Sequence, residues 1–118
     1  MNTSARLNLI AQDDRKLQTI GLISNWEVNS DPLHFQRRQQ QRGVNEAMVR
    51  IAIAYGKKEY IYDAISFTLI DKKLRHTPYQ KFIDALRGLR VICHPQGLPN
   101  PLVKTVYWHY KTKNSVRI

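Results

Sequence analysis

The sequence predicts an α+β fold in which two helices pack on an antiparallel sheet of about four strands, with one further helix between strands 2 and 3. Apolar residues recur at a 3.6-residue period from Val44 to Tyr55 and at a two-residue period after Lys58, which indicates a change from helix to strand. Gly and Pro residues separate the periodic segments. The resulting order of helix, helix, strand, strand, helix, strand, strand is typical of an α+β domain.

The chain divides into three parts along its length. Residues 1–30 follow neither period cleanly, and we expect a partly ordered arm whose apolar section, residues 20–26, is a candidate contact for a homodimer. The folded domain then covers residues 31–111. A basic tail occupies residues 112–118.

The first predicted helix begins at Asp31, a good N-cap, and Pro32, which suits the first helical position. It extends to about Gln41 and has one strongly polar face, made of His34, Arg37, Arg38, Gln41 and Arg42. In the first turn the helix dipole disfavours a charged imidazole, so His34 would be neutral, as a general base requires. A histidine that only bonds a nearby backbone group is the alternative.

The second predicted helix is the core helix of the domain. Asn45 is its N-cap, and Gly56 ends it where a left-handed residue is expected. Its apolar stripe consists of Val44, Ala47, Met48, Ile51, Ala52 and Tyr55. Such a helix could not read base edges with polar side chains, which argues against a DNA-binding helix-turn-helix.

The rest of the domain alternates strands with one helix. We predict strands over residues 58–62, 65–69, 89–94 and 102–110. A bend at Asp63-Ala64 separates the first two, and a basic loop over residues 71–76 follows the second. Thr77–Gln80 is a capping box that starts the third helix, which ends at Gly88.

The charge distribution points to a polyanionic partner. The chain has 19 Lys and Arg against 9 Asp and Glu, a net charge of +10. All of this excess lies beyond residue 33, because the first 33 residues are slightly acidic. Nucleic acid is the first candidate partner and an anionic membrane surface the second. The alternative is an ordinary solvated shell of charged side chains.

The last predicted strand has a face that could hold a phosphate and stack a base. Alternation puts one set of side chains on that face: Thr105, Tyr107, His109 and Lys111. An edge strand made polar against aggregation is the alternative. Lys57, Lys58 and Tyr60 supply a second basic and aromatic mixture of the kind that binds single-stranded nucleic acid.

Other kinds of site find little support. The lone cysteine, Cys93, excludes an intramolecular disulfide and a cysteine-cluster zinc site, and the histidines form no pair at ligand spacing. We therefore expect no metal and no cofactor. No apolar run approaches the roughly 20 residues that span a bilayer, and no secretory signal is recognisable, so we expect a cytoplasmic protein without a membrane partner.

Several short motifs resemble a family of small bacterial domains related to the RelE and colicin D type of ribonuclease toxin, which is grouped with barnase and EndoU. The motifs lie in residues 34–111: His34, Arg38, Arg42-Gly43-Val44, an apolar helix that ends at Gly56, Gly88-Leu89-Arg90-Val91-Ile92, and Val103-Lys104-Thr105-Val106-Tyr107. The resemblance implies helices on a curved antiparallel sheet, and a sheet face that cleaves RNA in the active members.

Metal-independent RNA cleavage needs a base, an acid and a cation that stabilises the phosphorane. Carried over by this resemblance, His34 is the base or acid, and Arg38 and Arg42 form the phosphorane clamp. Tyr107 or His109 is the second proton carrier. We expect RNA contacts at Arg37, Lys57, Lys58, Tyr60, Lys104, Thr105 and Lys111.

The function therefore stays open between two classes. The first is an RNA-directed protein that acts as a ribonuclease toxin, with the ribosome and an antitoxin protein as candidate partners. The second is a module without catalysis, which either binds nucleic acid with the same fold or binds another protein.

Overall fold

The computed structural model describes residues 2–21, 23–25, 44–95 and 100–109. It confirms the α+β class. The predicted helix over residues 31–41 and the basic tail lie outside the described residues. The elements in chain order are α1 (Thr3–Asp13), α2 (Arg15–Gln18), β1 (Ser24–Asn25), α3 (Glu46–Tyr55), β2 (Lys57–Ile61), β3 (Ala64–Thr68), α4 (Asp71–Leu74), a 3₁₀ helix (Gln80–Phe82), α5 (Ile83–Leu86), β4 (Leu89–Cys93) and β5 (Leu102–Trp108).

The sheet has the order β1-β5-β4-β3-β2, in which β2 to β5 are antiparallel and β1 pairs with β5 in parallel. A bulge interrupts the pairing of β4 with β5, because Ile92 faces Thr105 while Cys93 faces Val103. The extra residue shifts the alternation of β5 by one position. Val103 and Val106 therefore both reach the core, although strict alternation would put them on opposite faces.

The core helix α3 confirms the prediction from its apolar stripe. The Asn45 side chain accepts a hydrogen bond from the Met48 backbone N–H at 2.9 Å and caps the helix. The prediction of a left-handed Gly56 was wrong, since its φ is −69°. Glycine is needed there for a different reason: a Cβ would overlap the Ala52 carbonyl oxygen and lie 3.0 Å from the Thr68 nitrogen. The missing side chain lets β2 leave the helix directly and pair with β3.

The first 20 residues contain two helices that pack on the core. Asn2 caps α1 by accepting from the Ala5 N–H at 2.8 Å. Leu7, Leu17 and Ile20 are buried in the same cluster as α3 and the sheet. Only one residue of α1, Leu7, is fully buried, which explains why the segment shows no clean helical period and was expected to be a partly ordered arm.

Asp14 joins these N-terminal helices to the rest of the domain. Its Oδ2 accepts hydrogen bonds from the Tyr55 and Tyr79 hydroxyls, both at 2.9 Å. Its Oδ1 accepts from the Lys16 N–H at 2.9 Å and caps α2. One carboxylate therefore connects α2 to α3 and to the turn before the 3₁₀ helix.

The region between β3 and β4 fits the predicted third helix only loosely. The expected basic loop contains α4, and the expected helix is a 3₁₀ turn followed by the single turn α5. A buried ion pair holds these turns together: Arg87 donates to Asp71 through Nε at 2.5 Å and through Nη2 at 2.7 Å. The hydrogen bond to Asp71 raises the pKa of Arg87. These hydrogen bonds connect α4 to the residue that follows α5, and helical turns this short are not stable on their own.

Candidate nucleic-acid interface

The two faces of the sheet have different chemistry. Val91, Cys93 and Phe67 belong to one face, which packs against α3 in the apolar core. Their neighbours along each strand point to the opposite face. There, one row of cross-strand partners consists of Lys57, Thr68, Arg90 and Tyr107. The next row consists of Glu59, Ser66, Ile92 and Thr105. We call this second side of the sheet the polar face.

Arg90 lies at the centre of the polar face. Its Nε donates to the Thr68 hydroxyl at 2.8 Å, and its Nη1 donates to the Tyr107 hydroxyl at 3.3 Å. Its guanidinium carbon lies 5.9 Å from the centre of the Tyr107 ring. Both acceptors are neutral, and no carboxylate within the described ranges forms an ion pair with Arg90. The positive charge is held in position but not neutralised, which suits an anionic ligand.

Thr68, whose hydroxyl accepts from Arg90, is buried, and so is Ser66 beside it. Ser66 and Thr68 have relative exposures of 2% and 1%, and their hydroxyl oxygens are 3.4 Å apart. Thr68 can orient Arg90, but neither of these two hydroxyls can reach a ligand. Lys57 is exposed, and Arg90, Thr105 and Tyr107 are partly exposed, so these four side chains of the described polar face could touch RNA.

The structure brings two of the proposed proton carriers together. Tyr107 lies in β5 and His109 directly follows the strand, where its backbone N–H donates to the Gly88 carbonyl at 2.7 Å. Their ring centres are 6.4 Å apart. Tyr107 also bonds Arg90, so a phenol, an imidazole and a guanidinium occur together at one end of β4 and β5. General acid–base chemistry at a phosphate uses groups of these types.

The edge strand β2 supplies the exposed part of the interface. Lys57, Lys58 and Tyr60 are exposed, Tyr60 by 75%. The Lys58 ammonium lies 5.2 Å from the centre of the Tyr60 ring. The pairing register puts Lys57 on the polar face, whereas Lys58 and Tyr60 project from the other side of the edge. A single nucleic-acid strand that followed β2 could contact Lys57 on one side of the sheet edge and Lys58 and Tyr60 on the other.

Lys104 has a different environment from the one expected for an RNA contact. It is the extra residue of the bulge, and its ammonium donates to the Asp63 carbonyl at 3.3 Å and lies 3.5 Å from the Asp63 carboxylate. These contacts connect β5 to the turn between β2 and β3. The charge of Lys104 is partly neutralised, which makes Lys104 a weaker candidate for an RNA contact than the exposed Lys57 and Lys58.

The remaining predicted site residues lie outside the described residues: His34, Arg37, Arg38, Arg42 and Lys111. That His34 acts together with Tyr107 or His109, as the resemblance implies, stays a prediction.

Sequence reasoning missed Arg90 as a site residue, together with the hydroxyls of Ser66 and Thr68. A signal was present, because Arg90 is a charged residue between Leu89 and Val91 in an apolar strand. In a strand with one buried face, such a residue must lie on the other face. What it meets there depends on which strands pair with β4.

The thiol of Cys93 lies in the apolar core. It is fully buried, and burial raises the pKa of the thiol to about 12. A neutral, inaccessible thiol is a poor nucleophile. Among the described residues, no group of three His, Cys, Asp or Glu side chains could hold a metal ion, and no helix is long and apolar enough to cross a membrane.

Comparison with known proteins does not assign the chain. No family model, no curated protein and no solved structure matches it.

Proposed function

We propose that the protein binds single-stranded RNA along the polar face of the sheet and the edge strand β2. The observation that carries this proposal is Arg90, a cation fixed by two neutral hydroxyls with no described carboxylate to neutralise it. The net charge of +10 supplies the long-range attraction to a polyanion. A cytoplasmic location is part of the same proposal.

The dimensions of the polar face suit a short stretch of single-stranded RNA. The row from Lys57 through Arg90 to Tyr107 crosses four strands, and neighbouring strands lie about 4.8 Å apart. The row therefore spans about 14 Å from end to end, which matches about four stacking steps, or five nucleotides, at roughly 3.4 Å per step. Exposed Tyr60 and partly exposed Tyr107 offer aromatic rings for unpaired bases, which a duplex does not present.

The test is RNA affinity at several salt concentrations. Fluorescence anisotropy with a labelled single strand of about 12 nucleotides, a typical site size, should give a log–log salt slope that Arg90→Gln reduces by about 0.7, the value for one lost phosphate contact on a single strand. Arg15→Gln is the matched control, because it removes an exposed cation from α2, which packs against α3 on the other side of the sheet.

Three results would contradict the proposal. One is equal weakening by Arg90→Gln and Arg15→Gln, which would indicate attraction by net charge alone. Another is tighter binding of the duplex than of the single strand. The third is the absence of any RNA binding at low salt, which would favour a protein-interaction module.

RNA cleavage is a second candidate function, favoured by the grouping of Tyr107, His109 and Arg90. In this reaction the 2′-oxygen attacks phosphorus, the P–O5′ bond breaks, and the products are a 2′,3′-cyclic phosphate and a 5′-hydroxyl. One group takes the 2′-OH proton, another gives a proton to the 5′-oxygen, and Arg90 stabilises the phosphorane. The resemblance to RelE-type toxins supports this candidate, and it also implies an antitoxin partner.

Cleavage is tested on RNA in EDTA, both free and ribosome-bound. Tyr107→Phe keeps the ring but removes the hydroxyl, and each true proton carrier should contribute about 10² to 10⁴ in rate. His34→Ala and Arg38→Ala test the residues that come from the resemblance. Intact RNA in every reaction would exclude this second function and leave the binding proposal unaffected.

A further inference from the structure

A groove of about 850 Å³ lies between α1 and the segment that precedes α5. Its walls are both apolar and basic, and include Arg6, Leu9, Ile10, Pro78, Lys81 and Phe82. α1 packs on α3, and Phe82 belongs to the cluster between the helices and the sheet. The groove therefore lies in the helical layer and not on the polar face.

The groove combines an apolar surface with a cation held against an aromatic ring. Leu9 is 50% exposed, although it is a large apolar side chain. The Arg6 guanidinium lies 5.5 Å from the centre of the Phe82 ring. Stacking on this ring orients the guanidinium at the groove wall. Lys81 lines the same groove and is exposed.

Unneutralised positive charge continues from the groove along the chain. Arg75 lies two residues before the groove-lining Thr77, and Lys72 and Lys73 lie in the helical turn before it. All three side chains are exposed. The carboxylate of α4, Asp71, is buried with Arg87 and so does not offset this charge. Among the described residues, no carboxylate forms an ion pair with Arg6, Lys81 or these neighbours.

We propose that this groove binds a nucleotide unit, with the base against Leu9 and Pro78 and the phosphate between Arg6 and Lys81. The volume is in the range of small-ligand sites, roughly 300–1,000 Å³. A base has two apolar faces and needs flat hydrocarbon walls, and its phosphate needs donors without competing carboxylates. The three cations Lys72, Lys73 and Arg75 would then hold neighbouring phosphates of the same RNA strand.

The nucleotide has two sources, a free mononucleotide or one unpaired residue of an RNA strand. The proposal does not depend on RNA binding at the polar face. The experiment therefore measures adenosine and uridine monophosphates by NMR titration, and a labelled single strand of about 12 nucleotides by anisotropy. The variants are Arg6→Gln, Lys81→Gln and Leu9→Gln. Arg15→Gln controls for a change of one charge, and Arg90→Gln controls for the polar face.

We expect Arg6→Gln and Lys81→Gln each to weaken binding about fivefold to tenfold, as the loss of one charged hydrogen bond at an exposed site implies. Leu9→Gln should weaken binding without reducing the salt slope, because it removes apolar contact and no charge. Chemical-shift changes at Leu9 and Ile10 with a mononucleotide would show that one nucleotide suffices. If the variants lose affinity only for the RNA strand, the groove binds one nucleotide of an RNA and not a free mononucleotide.

Two results would overturn the proposed nucleotide site in the groove. If the groove variants bind both ligands like the wild type, the proposal is wrong, whatever Arg90→Gln does. A glutamate-rich peptide is titrated as a third ligand. If the groove variants lose affinity for this peptide but not for RNA or mononucleotides, the groove instead binds an acidic protein segment, which also overturns the proposal. All three substitutions are at exposed positions, so thermal unfolding should confirm that the variants remain folded.

Discussion

Replacement of Asp14 by alanine tests how the N-terminal helices are held on the domain. The carboxylate accepts from the hydroxyls of Tyr55 and Tyr79 and from the Lys16 N–H. Asp14→Ala removes all three acceptor contacts at once. Tyr79 is fully buried, so its hydroxyl is left without its partner, whereas the partly exposed Tyr55 can bond water.

The magnitude follows from these contacts. A hydrogen bond to a charged group contributes about 1.5–3 kcal/mol, and a buried group left unpaired costs about 1–3 kcal/mol. Loss of an N-cap adds about 1 kcal/mol. With the low end taken for the partly exposed Tyr55, we expect Asp14→Ala to lower the free energy of unfolding by about 4 kcal/mol. Asp14→Asn keeps one side-chain oxygen acceptor and should cost about half as much.

The assay is urea unfolding followed by circular dichroism, with a double-mutant cycle. Tyr79→Phe removes the same hydrogen bond from its other end. Because the two groups are in contact, the effects of Asp14→Ala and Tyr79→Phe should not add. Additive effects, or a loss below about 1 kcal/mol for Asp14→Ala, well under the contribution of even one charged hydrogen bond, would refute the reasoning.

Three further predictions concern the fold. Asp71→Asn should destabilise the protein by about 3 kcal/mol, the low end for a broken buried ion pair, because it leaves the buried Arg87 with only the exposed Asp84 as counter-charge; a thermal unfolding curve like that of the wild type would contradict this. Gly56→Ala should cost about 2 kcal/mol in urea unfolding, since the added Cβ meets backbone that cannot move away; Ala54→Gly, which adds no atoms, is the comparison for a steric effect. Burial and the Asp14 hydrogen bond raise the pKa of Tyr55 to about 12 from 10.0, so its stabilisation is complete below pH 10 and is lost as the pH rises to 12. Tyr55→Phe should make the fall in stability over that range shallower, and equal slopes would disprove the linkage.

Local patterns predicted the elements whose burial repeats regularly. The α3 stripe contains Met48, Ile51 and Ala52 at helical spacing, and all three are buried in the core. The hairpin of β2 and β3 followed from a change of period and a turn signal. By contrast, α1 buries only Leu7 fully, which is too little to produce a readable period.

The candidate site was predictable only in part. Alternation correctly put Thr105 and Tyr107 on one face of β5, since Ile92 and Arg90 face them across the pair. Arg90 could not be identified as a site residue from the sequence, because its partners Thr68 and Tyr107 lie 22 and 17 positions away from it in the chain. The bulge at Lys104 was equally hidden, since it depends on how two strands align.

The amino-acid sequence by itself determined the class of fold, the core helix and the strongly basic character, because periodicity, capping and charge are properties of neighbouring residues. The tertiary structure alone decided that Asp14 holds two tyrosines, that Asp71 and Arg87 pair in the interior, and that Arg90 meets two hydroxyls on the polar face. These contacts depend on chain segments that approach each other only when the apolar core forms, and no local pattern encodes the geometry of that approach.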